Sequence, residues 1–161
     1  MDTINQIIEK YNMNKHPEGG YYSEVFRSTT KIIECTNPSM NKHSACTSIY
    51  YLLTAKEHSN FHHIAQEETW HYYHGGTVLL HLISPSGKYK LVRLGRNLLT
   101  DDFQFTVPAK WLMAAEIIGD YCLVGCTVAP GFEFADFTMP SRTELLAKFP
   151  ELEDIITRMS K

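Results

Sequence analysis

The stretch Asn60–Gly76, NFHHIAQEETWHYYHGG, places two histidines and two acids ahead of an aromatic run and ends on a glycine pair. Written as His62-x-Ile64-x3-Glu68-x6-Gly75, it has the form of two short strands joined by a tight connection. Successive side chains alternate across a strand, so His62 and Ile64 share one face of the first. By the same rule Glu68, Trp70 and Tyr72 share one face of the second. With both faces pointing inward, one imidazole, one carboxylate and two large rings meet in a cavity, and His63 faces the other way.

On either side the chain continues as short segments rich in branched and aromatic residues, which predicts strands. They cover Tyr21–Arg27, Lys31–Glu34, Ala45–Leu53, His58–His63, Glu67–His74, Thr77–Ile83 and Tyr89–Leu94, then Asp102–Val107, Leu112–Ile118 and Tyr121–Val128. Turn signals separate them at Gly75-Gly76, Pro85-Ser86-Gly87, Gly95-Arg96-Asn97 and Gly119-Asp120, and Asn37–His43 reads as a polar loop. This near-regular spacing predicts an all-β sandwich or barrel. Helices are expected only at the ends. Thr3-Ile4-Asn5-Gln6 reads as a capping box before an apolar face of Ile4, Ile7, Ile8 and Tyr11. Ser141-x-x-Glu144 reads as a second, with Leu145, Leu146 and Phe149 behind it. Pro150 opens a further turn, and Leu152, Ile155, Ile156 and Met159 mark the face that packs on the outside of the barrel.

Composition narrows the function. A chain of 161 residues with 43% hydrophobic and 20% charged residues is enough for one globular domain, residues 1–161. Fifteen basic against eighteen acidic residues, with no block of one sign, leave no nucleic-acid footprint and no polybasic membrane patch. No apolar run approaches the roughly 20 residues that cross a bilayer. The start MDTINQIIEKYN lacks the features of a secretion signal. Cys35, Cys46, Cys122 and Cys126 form no CxxC pair and read as reduced thiols, so a cytoplasmic location is the default expectation.

His62 and Glu68 are two potential ligands where a zinc- or iron-type metal wants at least three, and no histidine follows His81. Acid–base chemistry without a metal or cofactor is the alternative, with His62 as base. Tyr72, Tyr50 and Tyr121 are all possible acids on the opposite face, and Glu68 either orients His62 or binds substrate hydroxyls. A lone histidine among aromatics is also what a hydrogen-bonded core residue looks like; the cluster with Glu68 and Trp70 favours function. In His16–Tyr22, HPEGGYY, Glu18 and Tyr22 suit polyol recognition, although a tight turn into an edge strand fits equally. In Ala129–Phe137, APGFEFADF, the phenylalanines are expected to close one barrel mouth, with Glu133 and Asp136 facing it.

The segments HPEGGYYSEVFRS, SIYYLLTAKEHSNFHHIAQEETWHYYHGG and GCTVAPGFEFADF, in that order from His16 to Phe137, resemble a cupin family described as predicted sugar epimerases. The resemblance implies a jelly-roll (double-stranded β-helix) barrel, commonly a homodimer. His62 and Glu68 match the first cupin motif, where metal-binding members carry histidine at the position of Ile64. Val107–Met113, VPAKWLM, is similar to the second motif, with Lys110 in place of its glycine and Met113 in place of its histidine. The family pattern also has Arg at His63, Asp at Glu67 and Trp-Gln near Leu112-Met113.

More distantly, Gly20–Phe26 resembles the G-x-F-x-E-x-F strand of dTDP-sugar epimerases, whose metal-free histidine base corresponds to His62. Gly19 stands where those enzymes carry Arg, so nucleotide-sugar recognition does not carry over. The resemblance thus implies a metal-independent epimerase or isomerase of a sugar-like carbonyl compound. His62, Glu68 and Tyr72 would be catalytic, and Glu18, Tyr22, Trp70, Tyr50, Glu133 and Asp136 would bind substrate. The alternative is a cupin that binds a small molecule without turnover; a metal-dependent oxygenase is disfavoured by Ile64 and Met113.

Overall fold

The computed structural model describes residues 3–33 and 42–161. Helix α1 (Thr3–Lys10) leads into ten strands: β1 (Asn14–Lys15), β2 (Tyr21–Arg27), β3 (Lys31–Ile33), β4 (Lys42–Ser44), β5 (Thr47–Thr54), β6 (Ser59–His62), β7 (Glu67–Ile83), β8 (Tyr89–Leu94), β9 (Gln104–Val107) and β10 (Leu112–Ala129). Helices α2 (Arg142–Lys148) and α3 (Glu153–Met159) close the chain, joined by a 3-10 turn at Pro150–Leu152. Glu34, Cys35 and most of the expected Asn37–His43 loop lie outside the described residues. Its last residue, His43, belongs to β4 and is buried, so the loop ends earlier than expected.

Strands β7 and β10 organise the barrel. Each was expected as two strands with a glycine turn between them; each is one long antiparallel strand bent at its glycines. Gly75 has φ +105° and Gly119 φ +118°, backbone that residues with a Cβ rarely adopt. A Cβ on Gly76 would stand 2.0 Å from the carbonyl oxygen of Ile118. The glycines therefore make a corner, where two strands cross closely, rather than a reversal.

The register shows what the corner does. Tyr121–Val128 of β10 pairs with β5, Glu68–His71 of β7 pairs with β9, and β2 and β1 extend beyond β5. Past the bend, Val78–Ile83 pairs with β8 and Met113 pairs with His62 of β6. The bent pair thus contributes to two sheet layers, and the main core lies between them. Val78, Leu80 and Leu82 from one layer meet Tyr51, Leu53, Val124 and Trp70 from the other. Each fully buried large side chain of this kind contributes about 1.5–3 kcal/mol. The architecture is the expected jelly-roll barrel.

Outward-facing residues of the same strands seat the helices. Phe61, Ile83, Leu112 and Ala114 pack under Leu145, Phe149, Ile156 and Met159, as the tail pattern predicts. Ser141 and Glu144 form the expected capping box. The apolar face of α1 covers Leu52 and Leu123 on the other side; Thr3 is the first residue of that helix rather than its cap. Among the described residues no helix is long and apolar enough to cross a membrane. Cys46, Cys122 and Cys126 are free thiols.

Candidate active site

One end of the barrel opens into a cavity of about 170 Å3. That is below the roughly 300–1,000 Å3 usual for drug-sized ligands and suits a small molecule. Parity places its lining. Odd-numbered Thr47, Ile49 and Tyr51 of β5 and even-numbered Glu68 and Trp70 of β7 face in, together with His62, Ile64, Tyr22, Glu24, Cys126 and Val128. The segment after β10 supplies Phe132, Glu133, Phe134 and Phe137, which form the mouth. Mutual backbone bonds between His63 and Thr138, of 2.9 and 3.0 Å, tie that segment to the end of β6.

His62 is the pivot. Its Nδ1 lies 2.8 Å from the carbonyl oxygen of Asn60, its Nε2 lies 3.1 Å from Glu18 Oε2, and Phe137 stacks on the ring with centroids 5.3 Å apart. A carbonyl only accepts, so Nδ1–H donates to it. Nε2 is therefore the ring nitrogen left to exchange a proton with Glu18.

Glu18 comes from the turn before β2 and is buried. Ser59 Oγ donates to its Oε1 at 2.9 Å, while its backbone carbonyl accepts Asn60 N–H at 2.9 Å and Asn60 Nδ2 at 2.6 Å. The turn can run this close to the backbone at His58 because residue 19 is glycine: a Cβ there would stand 2.1 Å from the His58 carbonyl oxygen. His16 Nδ1 stands 3.3 Å from Glu18 Oε2, and burial holds the His16 pKa below its ordinary value, with His62 adding to the effect and Glu18 opposing it.

Glu68 is a second proton-carrying group in the same cavity. Burial and the nearby Glu18 carboxylate raise its pKa to about 7, against the opposing pull of His62. Beside it Trp70 is 1% exposed. Its Nε1 faces the Glu68 carboxyl yet makes no hydrogen bond of normal geometry among the described residues.

Of the residues expected in the site, His62, Glu68, Trp70, Glu18, Tyr22 and Glu133 meet in the cavity, and Tyr72, Tyr50 and Asp136 do not. Tyr72 lies further along β7 than Trp70 and donates its hydroxyl to the Gly75 carbonyl at 2.8 Å. Tyr50 has the wrong parity. It packs outside against Tyr11 and Tyr73 with centroids 4.6 and 5.9 Å apart. Tyr121 likewise bonds His74 at 2.9 Å away from the cavity. Asp136 turns from the mouth to accept from Gln66 Nε2 at 2.9 Å.

The residues that sequence reasoning passed over are Tyr51, His16, Glu24, Arg27 and Cys126. Tyr51 donates to the Gly19 carbonyl at 2.7 Å, and burial raises its pKa well above the ordinary value. Arg27 binds Glu24 through Nε and Nη2 and Glu133 through Nη1 at 2.7 Å, pinning the mouth segment to β2. The alternation YYSEVFR contained the signal for Glu24, which shares a face with Tyr22, but Arg27 joins it only through the register shift between Glu24 and Phe26.

The two residues that stand where the cupin motifs carry histidine have the wrong chemistry for a metal. Ile64 lines the cavity, and Met113 is buried in the core opposite His62. Among the described residues no group of three or more His, Cys, Asp or Glu is disposed to hold a metal ion. The residues present do not fit the metal of the fold family.

Comparison with known proteins agrees with this architecture. The family model described as Cupin superfamily (DUF985) matches residues 5–140. The Saccharomyces cerevisiae protein YML079W is 30% identical over 154 residues, covering 84% of this chain and 74% of the yeast protein. A solved structure of the Shewanella oneidensis protein SO0799 is 32% identical with a TM-score of 0.89, covering 100% of this chain and 99% of that one. A Leishmania major protein described as hypothetical is also 32% identical, with a TM-score of 0.91 and 99% of each chain covered. Oxalate decarboxylase from Bacillus subtilis, at 12% identity and a TM-score of 0.57 over 91% of this chain and 36% of that one, shares the fold alone.

Proposed function

The chain belongs to the cupin superfamily, and from that membership we propose that its cavity is a metal-independent acid–base site for a small, sugar-like carbonyl compound, acting as an epimerase or isomerase. The observation that carries this reading is two separately held proton stations in one cavity, the His62–Glu18 pair and Glu68. A carboxyl group near pH 7 is matched to general acid–base work, and its neighbour differs from it in environment and partners.

The chemistry balances with these residues alone. One station takes the proton from the carbon next to the carbonyl, and the freed electron pair moves onto the carbonyl oxygen. The other station returns a proton to that carbon, on the opposite face for epimerisation. Trp70 Nε1–H, poorly satisfied beside the Glu68 carboxyl, is the donor we assign to that oxygen as its charge develops. Glu68 replaces the tyrosines of the sequence reading as the second station, because none of those hydroxyls reaches the cavity.

Incubation with free aldoses and ketoses in deuterium oxide tests this. The wild type should place deuterium at the carbon next to the carbonyl, and His62→Asn should lower that rate about 100- to 10,000-fold. Unchanged exchange in His62→Asn sinks the assignment. A second reading, a binding barrel without turnover, is favoured by one observation: Nε2 of His62 already faces Glu18 rather than open space. Ligand binding with no exchange in any candidate sugar would establish it.

A further inference from the structure

Four carboxylates line the cavity, those of Glu18, Glu24, Glu68 and Glu133. Facing them are Arg27, His16 and His62. Each of these is already engaged. Arg27 commits four of its five N–H donors, to Glu24 twice, to Glu133 and to the Phe132 carbonyl at 3.1 Å. Both ring nitrogens of His62 are taken by Asn60 and Glu18, and His16 Nδ1 stands against Glu18. The remaining wall is apolar, from Ile49, Ile64, Val128 and Phe137, so the field of the excess carboxylates is weakly screened.

A second, independent feature says what the cavity lacks. The buried Trp70 Nε1–H faces the Glu68 carboxyl without a hydrogen bond of normal geometry, a poorly satisfied donor in a site otherwise crowded with acceptors. It calls for an oxygen that accepts one hydrogen bond, on a molecule whose other groups donate to carboxylates. We propose that the cavity selects against negative charge and takes an unphosphorylated, uncharged polyhydroxyl compound, a free sugar or polyol, with Glu24 and Glu133 at the mouth and Trp70 inside as its specificity-determining residues. This deepens the reading above and rests on the same cavity.

The class excluded is as definite as the class admitted. Sugar phosphates, uronic acids and small dicarboxylates such as oxalate would place a charge beside carboxylates with no free cation among the described lining residues to meet it. Sugars instead supply hydroxyl donors, which carboxylates accept well.

The test is a matched binding panel on the full chain at pH 7.5. Glucose, mannose and xylose are compared with their phosphate esters and uronic acids, and with inorganic phosphate and oxalate, by saturation-transfer NMR and calorimetry. The expected result is binding of at least one free sugar, with every charged counterpart weaker by about 30-fold or more, the order expected for one uncompensated unit charge. Glu133→Gln, which removes one carboxylate from the mouth and leaves Arg27 Nη1 without its anionic partner, should narrow that gap several-fold. Trp70→Phe should weaken the free sugar about 10-fold with the fold unchanged by circular dichroism, as loss of one buried hydrogen bond predicts.

Charged counterparts binding as well as the free sugars, or a panel in which nothing binds, would overturn the proposal. Deuterium exchange on the same compounds keeps the two readings apart. Free-sugar binding without exchange defeats the catalytic reading only, and exchange on an anionic sugar defeats the charge selection only.

Discussion

His62 Nε2 and Glu18 Oε2 stand 3.1 Å apart inside the barrel, while the other ring nitrogen of His62 is held 2.8 Å from the Asn60 carbonyl. Asn60 also grips the Glu18 backbone, so one residue orients the imidazole and positions its carboxylate partner. Because the carbonyl can only accept, Nδ1 of His62 carries hydrogen in either charge state of the pair. Nitrogen-15 NMR at pH 8 should show a protonated Nδ1 for this residue. An unprotonated Nδ1 signal would contradict the arrangement.

Glu18 is the carboxylate on which Ser59, His62 and His16 converge. Glu18→Ala leaves a hydroxyl and an imidazole nitrogen buried without partners, and should cost about 2–4 kcal/mol of folding stability. Glu18→Gln keeps the shape and should cost less than half of that. Urea denaturation of the two variants beside the wild type measures the difference, and equal losses would show that packing rather than polar pairing dominates here.

Glu68 links folding to pH. Its pKa rises from an ordinary 4.5 to about 7 in the fold, so the native state keeps a proton that the unfolded chain releases. Stability is therefore fully present below pH 4.5 and is lost as pH rises through 7. The loss attributable to this one group is about 3 kcal/mol. Glu68→Gln cannot ionise and should flatten the stability profile between pH 5 and pH 8. A wild-type profile as flat as the variant's would remove Glu68 as a titrating group.

Much of this was readable because strands alternate. Alternation alone put His62, Glu68 and Trp70 on inward faces and His63 outside. It failed at the paired tyrosines of SIYYLL, where one ring must face in and the other out, and nothing local says which. Register against β2 and β10 decides for Tyr51. Tyr72 shows a different limit: it lies further along the strand than Trp70, and its hydroxyl is held by the Gly75 carbonyl rather than in the cavity. The misread glycines show a third. A glycine pair marks unusual backbone or close approach, and only the partner strand reveals that here it makes a corner rather than a reversal.

Lys110 occupies the position where the second cupin motif has glycine, and its backbone bears that out with φ +64°. The turn Pro108–Trp111 needs this conformation to bring Lys110 N–H to the Ile64 carbonyl at 3.0 Å. Lysine there is held in the left-handed region at a cost of about 1 kcal/mol. Lys110→Gly should accordingly be neutral to stabilising by about 1 kcal/mol, even though glycine substitution elsewhere usually destabilises. A midpoint that falls in chemical denaturation would show that the lysine side chain contributes more than its backbone strain costs.

Gly76 is the opposite case, a glycine that no other residue can replace. Its missing Cβ is the space through which the Ile118 carbonyl passes, 2.0 Å from where that atom would lie, and the neighbouring Gly75 meets the Tyr121 carbonyl at 2.4 Å in the same way. The obstacle is backbone on a paired strand, which cannot swing aside as a side chain would. Gly76→Ala must therefore part β7 from β10 at the bend that gives both sheet layers their shared strands. A loss of about 3 kcal/mol or more is expected, at the upper end of the range for single substitutions. Gly131→Ala, where a Cβ would stand 3.0 Å from its nearest neighbours, is the control and should lose less. Thermal melts of the two variants decide it: equal losses would mean that the corner relaxes as easily as the mouth segment.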